Sequence, residues 1–183
     1  LMSGYLDQPA ATAAALQGGW LDTGDLGFLH QGELFLTGRA KEILLVRGRN
    51  YAPADLELAV AELPDVRRGC VAAASHLPPG RETEAVVLFV EHKRSVSPAR
   101  LEELRSGARA AVLARVGLAV DRVEILPPGT LPRTSSGKIR RSEAMKSYLA
   151  GTLAPPAPAG PVRLMAALVR SRLAHWKLGR ASR

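Results

Sequence analysis

The sequence predicts an α+β fold, a small sheet with helices packed on it, preceded by a β-hairpin. Three observations carry that reading. Between residues 43 and 150, short apolar and β-branched runs alternate loosely with longer segments of helical period. Two of those segments open on helix-start signatures, Pro53 and the pair Ser97-Pro98. Ahead of them, GWLDTGDLGFL and ELFLTG meet at HQG, which is a hairpin signal.

The elements follow in order. An Ala-rich stretch from Pro9 to Leu16 reads as a short helix, and the hairpin of residues 19–38 comes next. An isolated hairpin is marginal in water, so this one needs a neighbour. ILLVRG reads as a strand, and PADLELAVAEL as a helix that puts Leu56, Val60 and Leu63 on one face. VRRGCVAAASH and EAVVLFVEH are strands. SPARLEELRSGARAAVLARVG is a long helix with Ser97 as its N-cap, and VDRVEILP is a last strand. A final helix starts near Ser142 and stops at Gly151, a C-cap residue. APPAPAGP, Ala154 to Pro161, reads as a stiff linker to a tail.

Composition narrows the function classes. The 183 residues are 46% apolar and 23% charged, ordinary for one globular domain with extensions, and with 4% aromatics the core must rest on Leu, Val, Ile and Ala. The net charge of +8 does not point to nucleic acid. From Pro161 onward there are six Lys/Arg and no acid, which leaves 19 Lys/Arg against 17 Asp/Glu before it. Cys70, the single cysteine, lies in GCVAAASHL with no partner for a disulfide or a metal motif, so a buried strand thiol in a reducing compartment is expected. His30, His76, His92 and His175 are scattered without ligand spacing, so no metal site is expected. With no membrane-length apolar run and no basic n-region at the N-terminus, a cytoplasmic location is expected.

Three motifs bear on chemistry. TGD, Thr23 to Asp25, is turn-prone; a carboxylate there can accept two hydrogen bonds from a ribose diol, or be a plain turn aspartate. In TGRAKEILLVRGRN, Arg39, Lys41, Arg47 and Arg49 surround a strand, either as phosphate-binding forks or as a solvated rim. In PPGTLPRTSSGKIRR, Lys138 ends a run of small and turn-forming residues. It is not a P-loop, because Gly129 is too far upstream and Ile139 stands where Ser or Thr belongs.

Taken in this order, TGD, then GR-x-K before a strand, then a Ser/Thr/Gly loop ending in lysine, the chain resembles the adenylate-forming acyl-activating superfamily over nearly all of residues 3–153. PRTSSGKIRR and RGRN followed by PADLE look most like fatty acyl-AMP ligases, although Ala52 stands before Pro53 where those enzymes have an aromatic. The resemblance implies that residues 1–40 are the end of a large N-terminal AMP-binding domain, that 41–153 are a small mobile C-terminal domain, and that 154–183 are linker and tail. It implies that Asp25 holds the ribose hydroxyls with help from Arg39, that Lys41 is the hinge, and that Lys138 is the catalytic lysine inserted between acyl carboxylate and α-phosphate. ATP with Mg, a fatty acid, and an acyl carrier protein or coenzyme A are the implied cofactors and partners, with the metal ligand and acyl pocket upstream. The chain is then expected to be the C-terminal piece of a longer ligase. The alternative is a free-standing module that binds a partner without catalysis.

The tail has no counterpart in that resemblance. Val162, Met165, Val169, Leu173 and Trp176 recur at helical spacing beside Arg163, Arg170 and Lys177. Such a basic amphipathic helix could dock on an acyl carrier protein or an anionic membrane, or else pack on the rest of the enzyme or fray.

Overall fold

The computed structural model describes residues 2–94 and 96–155. The tail helix expected beyond Pro161 lies outside the described residues.

Chain order begins with helix α1 (Pro9–Ala15), a small hairpin β1 (Leu16–Gln17) and β2 (Trp20–Leu21), and the larger hairpin β3 (Asp25–His30) and β4 (Glu33–Arg39). The turn at Gln31 and Gly32 has positive φ at both residues, the geometry that matches the twist of paired strands. The β3–β4 register pairs Asp25 with Arg39 and Phe28 with Phe35, whose rings stack at 5.2 Å. It slips at Leu26/Gly27, where a Cβ on Gly27 would come within 2.6 Å of the Phe35 carbonyl oxygen. Only glycine lets the strands approach that closely.

A 3-10 turn at Ala40–Glu42 leads into the body. There β5 (Leu44–Val46) pairs with β6 (Arg49–Tyr51), and α2 (Pro53–Ala61) follows. The main sheet has the order β7 (Val66–His76), β8 (Ala85–His92), β9 (Arg122–Leu126). The β7–β8 pair is antiparallel. The β8–β9 pair is parallel and is bridged by the long helix α3 (Pro98–Val116), as a parallel connection requires. Ser97 caps α3 by accepting a hydrogen bond from the Arg100 N–H, and Gly117 ends it in the left-handed region. Helix α4 (Arg141–Leu149) closes the body.

The strand period of two divides this sheet between two cores. Val86, Leu88 and Val90 face α2 and α3, where Leu56, Val60, Leu104, Ala108 and Val112 are buried. Val87 and Phe89 face the other way, onto Leu131 and onto Ala144 and Met145 of α4. Both faces of β8 are covered, which is why its sequence is a continuous apolar run. Each such fully buried Val or Leu contributes about 1.5–3 kcal/mol relative to exposure. The α+β arrangement anticipated for this chain is therefore the one observed. Among the described residues, no helix is long and apolar enough to cross a membrane.

Candidate functional site

A cleft of about 1420 Å³ runs between the β3–β4 hairpin and the body. Asp25 and Arg39 line its hairpin side, and Arg133, Lys138 and Arg141 line its body side. Three of the four residues singled out from the sequence thus share one space. The fourth, Lys41, is not part of the lining; it is exposed in the 3-10 turn that joins the two sides.

On the hairpin side, the turn before Asp25 is built from its own side chains. The Gly24 N–H donates to Asp22 Oδ1 at 2.8 Å and the Asp25 N–H to Thr23 Oγ1 at 3.1 Å, the local bonding that favours Asp and Thr in turns. The Ala40 N–H donates to the Gly24 carbonyl at 2.9 Å, closing the far end of the hairpin. Arg39, directly across the ladder, donates from Nε to Asp25 Oδ1 at 3.1 Å. That contact leaves Oδ2 of the carboxylate and both terminal nitrogens of the guanidinium for a polar ligand in the cleft.

On the body side, Lys138 sits at the tip of a closed loop. Arg133 and Ile139 form an antiparallel bridge at its base, and the Arg140 N–H donates to the Pro132 carbonyl at 2.9 Å. Gly137, at φ +86°, takes the left-handed turn that returns the chain, and its N–H donates to the Thr134 carbonyl at 2.9 Å. Its content of Ser, Thr and Gly suggested a slack loop; the observed loop is held by side-chain and backbone hydrogen bonds, because those same residues are turn formers. The Lys138 side chain is exposed and has no ion-pair partner among the described residues.

Behind the loop lies a charged scaffold that no local pattern had indicated. Arg141, the first residue of α4, grips Glu57 with two bonds, Nε to Oε1 at 2.7 Å and Nη2 to Oε2 at 2.9 Å, and reaches Glu42 from Nη1 at 2.6 Å. Glu57 Oε1 also accepts the Ala73 N–H of β7 at 3.0 Å. Hydrogen bonding to Glu57, against the opposing pull of burial, raises the Arg141 pKa above its usual value. Glu91, wholly buried in β8, accepts from the Leu131 N–H at 2.8 Å and from Arg67 at 2.7 Å. Burial works to raise its pKa, but the backbone N–H groups of Gly129 and Leu131, with Arg67, outweigh it and hold the carboxyl below the usual range. Cys70 is the buried strand thiol expected, and burial, followed by the Glu91 charge, pushes its pKa up, the opposite of what a nucleophile needs.

Asp25, Arg39 and Lys138 fit a nucleotide in chemistry: one carboxylate for a diol, and cations for a phosphate. Magnesium finds no such fit here, since no group of three or more His, Cys, Asp or Glu among the described residues is placed to hold a metal ion.

Known proteins give this arrangement a family. A family model described as Disco-interacting protein 2-like, AMP domain, matches residues 41–156. The long-chain-fatty-acid–AMP ligase FadD26 of Mycobacterium tuberculosis is 36% identical over 162 residues, covering 79% of this chain and 27% of the relative. A protein of Caulobacter vibrioides, named as a candidate acyl-CoA synthetase, is 42% identical over 154 residues, covering 83% of this chain and 26% of its own. Among solved structures, McyG A-PCP in complex with phenylalanyl-adenylate superposes with a TM-score of 0.73 at 31% identity, over 81% of this chain and 26% of that one. The chain spans about a quarter of the length of the curated relatives it matches. Carrying the motif order TGD, GR-x-K and SGK on this fold, and matched by the family model over more than half of its length, the chain belongs to the Disco-interacting protein 2-like AMP-domain family of adenylate-forming enzymes.

Proposed function

We propose that this chain supplies the C-terminal part of a ligase that activates a fatty acid with ATP and passes the acyl group to an acyl carrier protein. The observation that carries the reading is the single cleft lined by Asp25, Arg39 and Lys138. In the first half-reaction a carboxylate oxygen of the acid attacks the α-phosphorus, the bond from that phosphorus to the bridging oxygen of pyrophosphate breaks, and acyl-adenylate forms. Asp25 accepts the ribose hydroxyls and Arg39 holds its carboxylate in place. The Lys138 ammonium meets the charge that gathers on the phosphoryl and acyl oxygens, the kind of preorganised electrostatic help that is usually the largest single contribution. Magnesium, when bound, neutralises phosphate charge from ligands outside the described residues. In the second half-reaction a thiol attacks the acyl carbonyl, AMP leaves, and the thiol proton goes to solvent.

In this reading residues 1–40 complete the large N-terminal domain, residues 41–153 form the mobile domain, and Lys41 is the hinge. Because the lysine loop is itself held closed, Lys138 leaves the adenylate by movement of the whole domain about Lys41, not by slackening of the loop. The relative from Caulobacter vibrioides favours a second acceptor, coenzyme A, in place of the carrier protein.

The test uses the full-length protein. Lys138→Ala lowers acyl-adenylate formation by about two to three orders of magnitude, the loss typical of one charge-stabilising group. Transfer from supplied acyl-adenylate changes much less. Equal loss in both half-reactions would remove Lys138 from the role.

A further inference from the structure

We propose that Thr134 and Arg133 are positioning residues that set the place of the Lys138 ammonium; the proposal rests on the adenylation role given to Lys138 above. Both main-chain groups of Lys138 end on one threonine. The Thr134 N–H donates to the Lys138 carbonyl at 2.8 Å, and the Lys138 N–H donates to Thr134 Oγ1 at 3.0 Å. The second of these bonds needs a hydroxyl. Valine has the shape of threonine without it, and serine has the hydroxyl without the methyl.

Arg133 ties the same point to the sheet. Its Nη1 donates to the Gly137 carbonyl at 2.7 Å, while Nη2 lies 2.8 Å from the Gly69 carbonyl and 3.0 Å from Cys70 Sγ. Residues 67–70 of β7 have no partner on β8, because the ladder is interrupted between Val66 and Val71, so the Gly69 carbonyl is free to receive this bond. One planar guanidinium therefore spans the residue before Lys138 and the bulge of the sheet. A lysine at position 133, with a single charged tip, cannot reproduce that fork. The stem of Lys138 is long and flexible, so the ammonium is placed by its backbone anchor and by whatever it meets in the cleft. The Thr134 and Arg133 bonds fix the first of these. A misplacement of about 1 Å in such a group costs on the order of a hundredfold in rate.

The experiment compares Thr134→Val, Thr134→Ser, Arg133→Lys and Lys138→Ala in the full-length protein. Acyl-adenylate formation is followed by pyrophosphate exchange, and transfer is followed from supplied acyl-adenylate. Thr134→Val is expected to lower kcat for adenylation about tenfold to a hundredfold with KM for ATP within about twofold and transfer intact, and Arg133→Lys to lower it about tenfold. Thr134→Ser restores the rate to within about threefold, as the retained hydroxyl requires. Amide hydrogen exchange over residues 132–140 rises in Thr134→Val and not in Thr134→Ser. The proposal is overturned if Thr134→Val adenylates at the wild-type rate, if Thr134→Ser is as poor as Thr134→Val, or if both half-reactions fall together. Loss of adenylation in Lys138→Ala alone would sink only the positioning role. Intact adenylation in Lys138→Ala would sink the reading beneath it.

Discussion

The hairpin β3–β4 and the strand pair β7–β8 are both antiparallel and both rich in apolar side chains, yet they end in opposite states. Every residue of β3 is exposed, including Phe28 and Leu29, and across from it Leu34, Phe35 and Leu36 are exposed as well. In β8, every residue from Ala85 to Glu91 is buried. The sequences differ little in hydrophobicity; the difference lies in the layers. β8 has helices on both faces, whereas the hairpin has no covering layer among the described residues. A strand pair becomes a core only when something packs on it. The chemistry divides along the same line, with Asp25 and Arg39 on the uncovered piece and Lys138 on the covered one.

That contrast can be broken most strongly through Arg141. Arg141→Met strips Glu57 of its two-pronged partner in a site where the Glu57 side chain is 17% exposed. The body should lose about 2–3 kcal/mol, somewhat less than a fully buried broken pair, seen as a lower urea midpoint with an unchanged slope. An unmoved midpoint would show that the pair merely decorates the surface.

Acid should separate the two regions next. Glu91 and Asp121 are both held below their usual pKa values in the folded body: Glu91 as described above, and Asp121 by the Val86 N–H and Arg81, which outweigh its burial. A depressed folded pKa means the stabilisation is complete above the unfolded pKa of roughly 4 and is lost as pH falls through the folded value. The urea midpoint of the body should therefore hold from pH 7 to about 5 and drop below it. Glu91→Gln should flatten part of that drop, and an unchanged acid limb in this variant would exclude Glu91 as its source.

The junction between the regions is tested by Lys41→Pro, which restricts φ where rotation is proposed. One half-reaction should fall by about tenfold or more while the other persists, and equal rates in both would take Lys41 out of the hinge. The smallest effect is expected on the hairpin itself. Leu34→Ser should move the unfolding of this 183-residue chain by less than about 0.5 kcal/mol, since the side chain is 66% exposed. In the full-length protein the same change should cost more than about 1 kcal/mol, because there we propose that the large domain covers the hairpin. Equal small costs in both would remove that cover.

Much of the body was legible because its signals are local. The strand expected at VRRGCVAAASH is β7 from end to end, and EAVVLFVEH and the Ser97-capped helix match β8 and α3 to within a residue. β6 escaped notice because three residues, Arg49–Tyr51, carry no period. Asp25, Arg39 and Lys138 stood out through their motifs, and the structure gathers them in one cleft. The Arg141 network left no trace in the sequence, since its partners lie 84 and 99 residues away. Thr134 could have been found: a threonine four residues before the lysine, in a turn-forming run, is a local side-chain-to-backbone pattern.

The span of the Arg141 contacts constrains how such proteins can be recombined. A chimera that exchanges the lysine loop and α4 alone, with a boundary anywhere between residues 57 and 141, parts the arginine from both Glu42 and Glu57 unless the other parent supplies carboxylates at the same places. A boundary before Glu42 transplants the arginine, both carboxylates and the lysine as one inheritable block. The unit of exchange is set by this ion-pair network and is therefore far longer than the ten-residue motif that identifies the loop.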